Sequence, residues 1–454
     1  MRSLAAAALP SKKPNVLLYI TDDESWLERS VYGWSRLPTP NFDRVAREGV
    51  LFTHAYTSAP SCAPSRAALL TGRNFWELEQ GAFIQAWLPA RFPVLPDCFE
   101  AGGYHAGFTG KGWGPGMLTP SGRTRNPAGT AYQRLERKVV EEGINPIDYA
   151  ANFADFLDRK PKDKPFWFWA GSTEPHDPHA RENYRKLQRF GIAPDEVKTP
   201  PYLPQTAGAR RGRENFAYEL RYADEDLGRL LRILEERGEL AHTLVIVTSD
   251  NGTAIPRAKT NLYDWGVRVP MAMMWPGRIR PGRRVDDFVN FIDFAPTMLE
   301  AAGLPVPPAV SGRSFLDVLL ARGSGTVDRT RDWTAAGLEW HGEFDPVSFA
   351  GRMIRDRRYH YIVNYGARPS DLPDPARRSL TRPREELYDV QADPWERNNL
   401  AESPDHSAAR DRLNARLEAY QRKTGDPRIT GEMKIFEETR RYVQDRKRKG
   451  YPGN

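Results

Sequence analysis

Two pairs of oxygen-bearing residues, Asp22-Asp23 and Asp250-Asn251, stand far apart in a chain of 454 residues. Three carboxylates and one amide oxygen make a hard, oxygen-only donor set of the kind Ca²⁺ or Mg²⁺ takes. The same residue types cap helices and turns, so one pair alone would not separate the two uses. Cys62, in PSCAPSRAALLTGR (60–73), is one of only two cysteines. A thiol beside Pro64 and Arg66 in a small polar turn suits packing, metal ligation or nucleophilic attack, and nothing local chooses among them. STEPHDPHA (172–180) adds two imidazoles, His176 and His179.

These groups need elements that bring them together. NVLLYI (15–20), PFWFWAG (165–171) and TLVIVTSDNG (243–252) are short apolar runs that stop abruptly at polar residues, the pattern of buried parallel strands. NFDRVAREGV (41–50) carries Phe42, Val45 and Ala46 at helical spacing with Gly49 as a stop, and YELRYADEDLGRLLRILEERG (218–238) predicts a long amphipathic helix. Strands alternating with helices imply an α/β sandwich around a mostly parallel sheet, where ligands gather beyond the carboxyl ends of the strands. The first strand runs into Asp22 and Asp23, the middle one toward His176, and the later one into Asp250 and Asn251. Neighbours in a strand point to opposite faces, so a pair of adjacent carboxylates meets one site only where the backbone turns.

After about residue 330 the texture changes. GRMIRDRRYHYIVNY (351–365) predicts an antiparallel hairpin with basic outer positions, and EELYDVQADPWERNNLA (385–401) follows. HSAARDRLNARLEAYQRKTG (406–425) predicts an amphipathic helix, and RRYVQDRKRKGYPGN (440–454) a solvated helix and tail. The expected organisation is an N-terminal tail (1–13), an α/β domain (14–345) and a smaller C-terminal antiparallel-sheet and helix subdomain (346–454), since a chain this long exceeds one growing core.

Composition, 40% hydrophobic and 28% charged, is that of a folded soluble protein. The net charge of +7, from 66 basic against 59 acidic residues, is spread along the chain without a basic block interleaved with aromatics. It is compatible with an anionic substrate and gives no sign of a nucleic-acid partner, which is not expected. Two cysteines allow at most one disulfide. MRSLAAAALPSKKPN resembles the tail of a secretory signal, though its apolar run is short; a periplasmic or secreted location is expected, with the cytoplasm left open. No stretch approaches the roughly 18 apolar residues of a membrane span.

Taken in this order, from PNVLLYITDD to ELYDVQADPWERNNLA, these residues resemble the type I sulfatases of the alkaline phosphatase superfamily. The most specific element is Cys62-Ala63-Pro64-Ser65-Arg66 followed by AALLTGR, similar to the signature at which a maturation enzyme oxidises the cysteine to formylglycine. The resemblance implies an alkaline phosphatase-like fold and a formylglycine hydrate at position 62 that attacks the sulfur of a sulfated saccharide. It implies a divalent cation, Ca²⁺ in preference to Mg²⁺, held by Asp22, Asp23, Asp250 and Asn251 and touching residue 62. Arg66 would favour the diol's anion. Lys111, in TGKGWGPG, and Lys259, in AIPRAKTNLYDWG, match the two lysines that bind sulfate oxygens, and His176 rather than His179 matches the leaving-group acid. The partners implied are the saccharide and the formylglycine-generating enzyme.

The chain departs from the family's Gly-Lys-x-His, because Trp113 stands where a histidine hydrogen-bonds the hydrate. An indole cannot act as a base near neutral pH, so a substitute such as His105 or His341 is required, or activity is weakened. The segment TSDNGTAIPRAKTNLYDWG (248–266) is most similar to the heparan N-sulfatase (sulfamidase) branch, although Lys259 replaces that branch's arginine and Glu174 its aspartate near the sugar. Trp113, Glu174 and His341, the last in EWHGEFD (339–345), are the expected substrate-facing residues, with packing between domains as the other use of Trp340 and His341. The competing readings are a phosphonate monoester or phosphodiester hydrolase of the same superfamily and a weakly active glycan-binding relative.

Overall fold

The computed structural model describes residues 13–193, 196–341, 350–365 and 382–448. The strands, in chain order, are β1 (Asn15–Thr21), β2 (Val50–Tyr56), β3 (His105–Gly110), β4 (Phe166–Gly171), β5 (Thr243–Ser249), β6 (Met271–Met274), β7 (Arg283–Asn290), β8 (Trp333–Leu338), β9 (Gly351–Asp356), β10 (Tyr359–Asn364) and β11 (Glu385–Asp389). The first seven form one sheet in the order β3-β4-β1-β5-β6-β2-β7. β6 alone runs against its neighbours, so the sheet is mostly parallel, as the apolar runs predict.

Every residue of β1, β4 and β5 is buried, because helices cover both faces. Alternate residues feed two core layers. Val16, Leu18 and Ile20 pack with Trp167, Trp169 and Ile246 on one face. Leu17 and Tyr19 pack with Phe166, Phe168 and Val247 on the other. The Pro40–Glu48 helix brings Phe42, Val45 and Ala46 into the second layer, and the Ala207–Glu236 helix brings Leu227, Leu230 and Leu234. That long helix starts well before the expected residue 218; its first turns are capped by Thr206, whose Oγ1 accepts from the N–H of Ala209 at 3.3 Å.

β8 to β11 make a separate antiparallel sheet in the order β11-β10-β9-β8. Its first strand lies N-terminal to the expected boundary at 345/346, and residues 342–349 lie outside the described residues. We propose a division before Trp333, which keeps this sheet whole. Of the hairpin's basic positions, Arg358 at the turn is outward as expected, but Arg352 and Arg355 are not. Arg352 is fully buried, donating to Asp426 at 2.6 and 2.8 Å and to Glu339 at 2.7 Å, and Arg355 is buried beside Asp264. Carboxylates from outside the hairpin supply the partners that let these guanidinium groups enter the interior.

The last helix, Lys434–Arg448, is also less solvated than its charge predicts. Phe436 and Val443 are buried in the C-terminal core, and Tyr442 meets Trp87 edge-on at 5.2 Å. Residues 449–454 of the expected tail, like 1–12 of the N-terminal one, lie outside the described residues.

Candidate active site

β1 ends at Thr21 and β5 at Ser249, side by side and in register, so the residues that follow emerge together. Asp23 has φ of 68°, a left-handed turn that Asp tolerates better than most residues. That turn lets Asp22 and Asp23 share one site despite being neighbours in sequence. The two loops are tied: the Asp23 N–H donates to Asp250 Oδ1 at 3.1 Å, and Asn251 Nδ2 donates to Asp23 Oδ1 at 2.8 Å. All four side chains are buried.

Cys62 is the first residue of the Cys62–Thr71 helix, with Sγ 3.6 Å from Asp22 Oδ1 and 4.0 Å from Asp23 Oδ1. Burial pushes its thiol up to about 12, against the opposing pull of Lys111 and Lys259. Arg66, one turn on and so on the same face, donates from Nε to Asp250 Oδ2 at 2.8 Å and from Nη1 to the carbonyls of Lys111 and Gly112.

Lys111 follows β3 and Lys259 follows the Asp250-Asn251 loop. The Lys111 ammonium donates to Asp22 Oδ2; that of Lys259 donates to Asp23 Oδ2 at 2.6 Å and lies 3.1 Å from His176 Nε2. His176 Nε2 is 3.6 Å from Asp23 Oδ2. Burial alone would raise the Asp22 carboxyl, but Lys111, His176 and Arg66 outweigh it and bring it down to about 2. Burial likewise opposes the charge on Lys259, and Asp23 more than offsets it. The site thus holds ionised carboxylates and ammonium groups in one buried cluster.

The donor set fits a hard divalent cation. Asn251 Oδ1 is buried without a hydrogen-bond partner, an orphan acceptor that a cation would satisfy. Oxygens of Asp22 and Asp23 lie with Cys62 Sγ and a nitrogen of His176 within 4.8 Å of one another.

Other expected residues fall differently. Trp113 is only 4% exposed and packs in the core layer; its N–H and carbonyl are both bound by the Asn126 amide, at 3.0 and 2.8 Å. Glu174 is 2% exposed and anchors its own loop, accepting from Tyr149 Oη at 3.0 Å, Ser172 Oγ at 2.6 Å and the Asn145 N–H at 2.8 Å. Those contacts engage both of its oxygens.

His105 begins β3, whereas Lys111 follows its far end; six residues at about 3.3 Å each put roughly 20 Å between them. Its ring stacks on Phe156 and meets the Tyr132 hydroxyl at 3.1 Å. His341, by contrast, lies against the site: Nδ1 is 2.8 Å from Ser61 Oγ, next to Cys62. Burial, followed by the charges of Lys259 and Lys111, pushes its imidazole down to about 3. Trp340 packs in the C-terminal core, and residues 342–345 of that segment lie outside the described residues. His179 turns away from the centre, with Nε2 2.9 Å from the Pro175 carbonyl.

Sequence reasoning missed Ser61. A serine just before a helix signals an N-cap, yet this hydroxyl makes no capping bond and is spent on His341.

A mostly parallel sheet whose strand ends gather three carboxylates, an amide oxygen, two lysines and a helix-borne cysteine defines a hydrolase of the alkaline phosphatase-like fold, built for an anionic ester. The chain belongs to the sulfatase family, whose pattern matches residues 14–304, and with it to the sulfuric ester hydrolases. A second pattern, described as N-sulphoglucosamine sulphohydrolase, C-terminal, matches residues 258–423. The chain is 28% identical over 436 residues to an ulvan-active sulfatase of Formosa agariphila, covering 92% of this chain and 81% of the relative. It is 27% identical over 485 residues to human N-sulphoglucosamine sulphohydrolase, covering 93% of each. A solved structure of a protein in complex with its substrate D-glucosamine-2-N,6-O-disulfate superposes with TM-score 0.73 at 21% identity, covering 91% of this chain and 99% of that one.

Proposed function

We propose that this protein hydrolyses a sulfate ester or N-sulfate on a saccharide, with formylglycine derived from Cys62 as the reacting group. The observation that supports this most is the placement of Cys62: it opens a helix with its Sγ against Asp22 and Asp23, the carboxylates that Lys111 and Lys259 bind, with Arg66 and His176 in the same cluster. The saccharide class is favoured by relatives named for ulvan and for N-sulphoglucosamine. Lys111 and Lys259, paired with Asp22 and Asp23 near Cys62, favour sulfate over a phosphodiester.

A formylglycine hydrate supplies one hydroxyl for attack on sulfur and a second whose deprotonation releases sulfate. A bound divalent cation, Ca²⁺ in preference to Mg²⁺, would be held by Asp22, Asp23, Asp250 and Asn251 and supply Lewis acidity. Lys111 and Lys259 bind the non-bridging oxygens of the sulfate, where charge must be neutralised before a nucleophile approaches. Arg66 is fixed by Asp250 and the carbonyls of Lys111 and Gly112, so its remaining Nη2, 3.7 Å from Asp22 Oδ1, stays aimed at the cluster. His176 reaches the leaving side from its contact with Lys259 and donates a proton to the departing oxygen or nitrogen. With Trp113 in the core, His341, kept neutral by burial and by the charges of Lys259 and Lys111, is the imidazole placed to hydrogen-bond the hydrate, oriented by Ser61.

Mass spectrometry of the tryptic peptide bearing residue 62, after co-expression with a formylglycine-generating enzyme, tests the reading. A loss of about 18 Da on conversion of thiol to aldehyde, together with sulfate release from saccharides and a rate on aryl sulfate above that on the matched phosphodiester, is the expected result. An unconverted thiol in protein that binds sulfated glycan without turnover supports a glycan-binding relative instead.

A further inference from the structure

Lys259 stands between two residues in left-handed backbone, Arg257 with φ of 63° and Thr260 with φ of 65°. Arginine seldom adopts that region, and a β-branched threonine there is an outlier that persists only where the surroundings impose it. The loop is gripped on both sides. The Thr260 N–H donates to the Pro60 carbonyl at 2.9 Å, which ties the loop to the turn carrying Ser61 and Cys62. On the other side Arg257 donates from Nη2 to the Glu396 carbonyl, and its guanidinium lies over the Tyr263 ring at 3.8 Å.

The Glu396 carbonyl is itself a fixed acceptor. Glu396 lies beyond β11 in the C-terminal subdomain, 2% exposed and with φ of 53°. Its N–H donates to the Asp393 carbonyl at 3.0 Å, its Oε2 accepts from the Asp264 N–H at 2.8 Å, and its Oε1 meets Nδ1 of His360 in β10. Asp264, His360 and Glu396 bring ligand atoms within 4.8 Å of one another, as a metal site would. Arg268 Nη1 at 3.1 Å and Arg355 Nε at 3.4 Å already match the Asp264 carboxylate, however, and two guanidinium groups repel an entering cation. The cluster therefore acts as a brace. Tyr263 is fixed from the same sheet, donating from Oη to Oε2 of Glu386 in β11 at 2.8 Å. Both surfaces that hold Arg257 are thus set by the second sheet, while its loop carries the Lys259 ammonium to Asp23 and His176 at the edge of the first.

We propose that Arg257 is a positioning residue for Lys259: hung from the Glu396 carbonyl of the C-terminal subdomain, it holds the loop in the strained form that sets the ammonium on the leaving side. Its effect on turnover rests on the role given to Lys259 in the function proposed above. The second sheet is then part of what orients the centre, although it supplies this loop with no reacting group.

Arg257→Met removes the donor while keeping the bulk of the side chain. In the full chain, hydrogen exchange in the peptide spanning residues 253–263 should quicken at least about tenfold in Arg257→Met and return part of the way in Arg257→Lys, whose ammonium can donate to the carbonyl but cannot stack as a plane. In converted enzyme, Arg257→Met should lower kcat/KM on an activated aryl sulfate by about tenfold, since small displacements of a positioned group cost up to about 10²-fold. In a Lys259→Met background the same substitution should cost less than about twofold, because the group it positions is gone. An equal factor in both backgrounds marks a role in folding alone and overturns the assignment, as does unchanged exchange in Arg257→Met. If converted wild-type protein releases no sulfate from saccharide or aryl sulfates, the proposed function fails, and the exchange comparison still decides whether Arg257 holds the Lys259 loop.

Discussion

At the scale of single residues, the centre separates groups that must react from groups that must orient. Cys62→Ala should abolish sulfate release while leaving cation binding intact, because the four oxygen donors come from strand ends and not from the helix; calorimetric titration with Ca²⁺ checks the second half. His341→Ala should lower kcat by about tenfold with KM little changed, the loss expected when a neutral imidazole no longer hydrogen-bonds the hydrate, whereas His105→Ala at the opposite end of β3 should stay within about twofold. Equal effects of the two substitutions on kcat would remove His341 from the mechanism. The motif around Cys62, the two acidic pairs and His176 were legible in sequence, because residue type and strand-end position carry them. The burial of Trp113 and Glu174 was not, because a tryptophan or glutamate reads alike in sequence whether it is exposed or enclosed until its neighbours are known.

At the scale of elements, the long Ala207–Glu236 helix braces the loop that carries His176. Its Glu219 is fully buried, accepting from Asn183 Nδ2 at 3.2 Å, and burial together with the nearby Glu174 pushes its carboxyl up to about 9. The folded protein therefore holds a proton there that the unfolded chain gives up above about 4.5. Stability from this group is lost as pH rises from about 4.5 toward 9, since the native state binds the extra proton throughout that window. Glu219→Gln should raise Tm at pH 8, by roughly 1–2 kcal/mol of stability, with the gain shrinking toward pH 5; a gain independent of pH would contradict the assignment. In the second sheet, Arg352→Met leaves Asp426 and Glu339 buried without their partner and should cost about 3–5 kcal/mol in denaturant unfolding. Arg352→Lys should recover only part, because an ammonium cannot reproduce the paired donors on Asp426. The strand periods revealed the hairpin but not the burial of its arginines, since their partners come from Glu339 and Asp426 outside it.

At the scale of the whole molecule, the cation site couples the α/β sheet to its own stability. Asp22, Asp23, Asp250 and Asn251 are buried and carry net negative charge between strands far apart in sequence, so a cation held there should bind the folded chain and not the unfolded one. Tm should rise with Ca²⁺ concentration, by the equivalent of about 2.7 kcal/mol at a hundredfold excess over Kd, and Asn251→Ala should flatten that dependence. A Tm indifferent to Ca²⁺ and chelator would contradict the site. No helix among the described residues is long and apolar enough to cross a membrane.

By itself the sequence determined the buried parallel strands, the helices between them and the delivery of Asp22, Asp23, His176, Asp250 and Asn251 to one sheet edge, because hydrophobic period and strand ends are local properties of the chain. Only the tertiary structure decided that His341 stands beside Ser61 across 280 residues, that Trp113 turns into the core, and that Arg352 is buried between Asp426 and Glu339. Those outcomes depend on how elements distant in sequence pack against one another, and such contacts leave no periodic trace in the residues that make them.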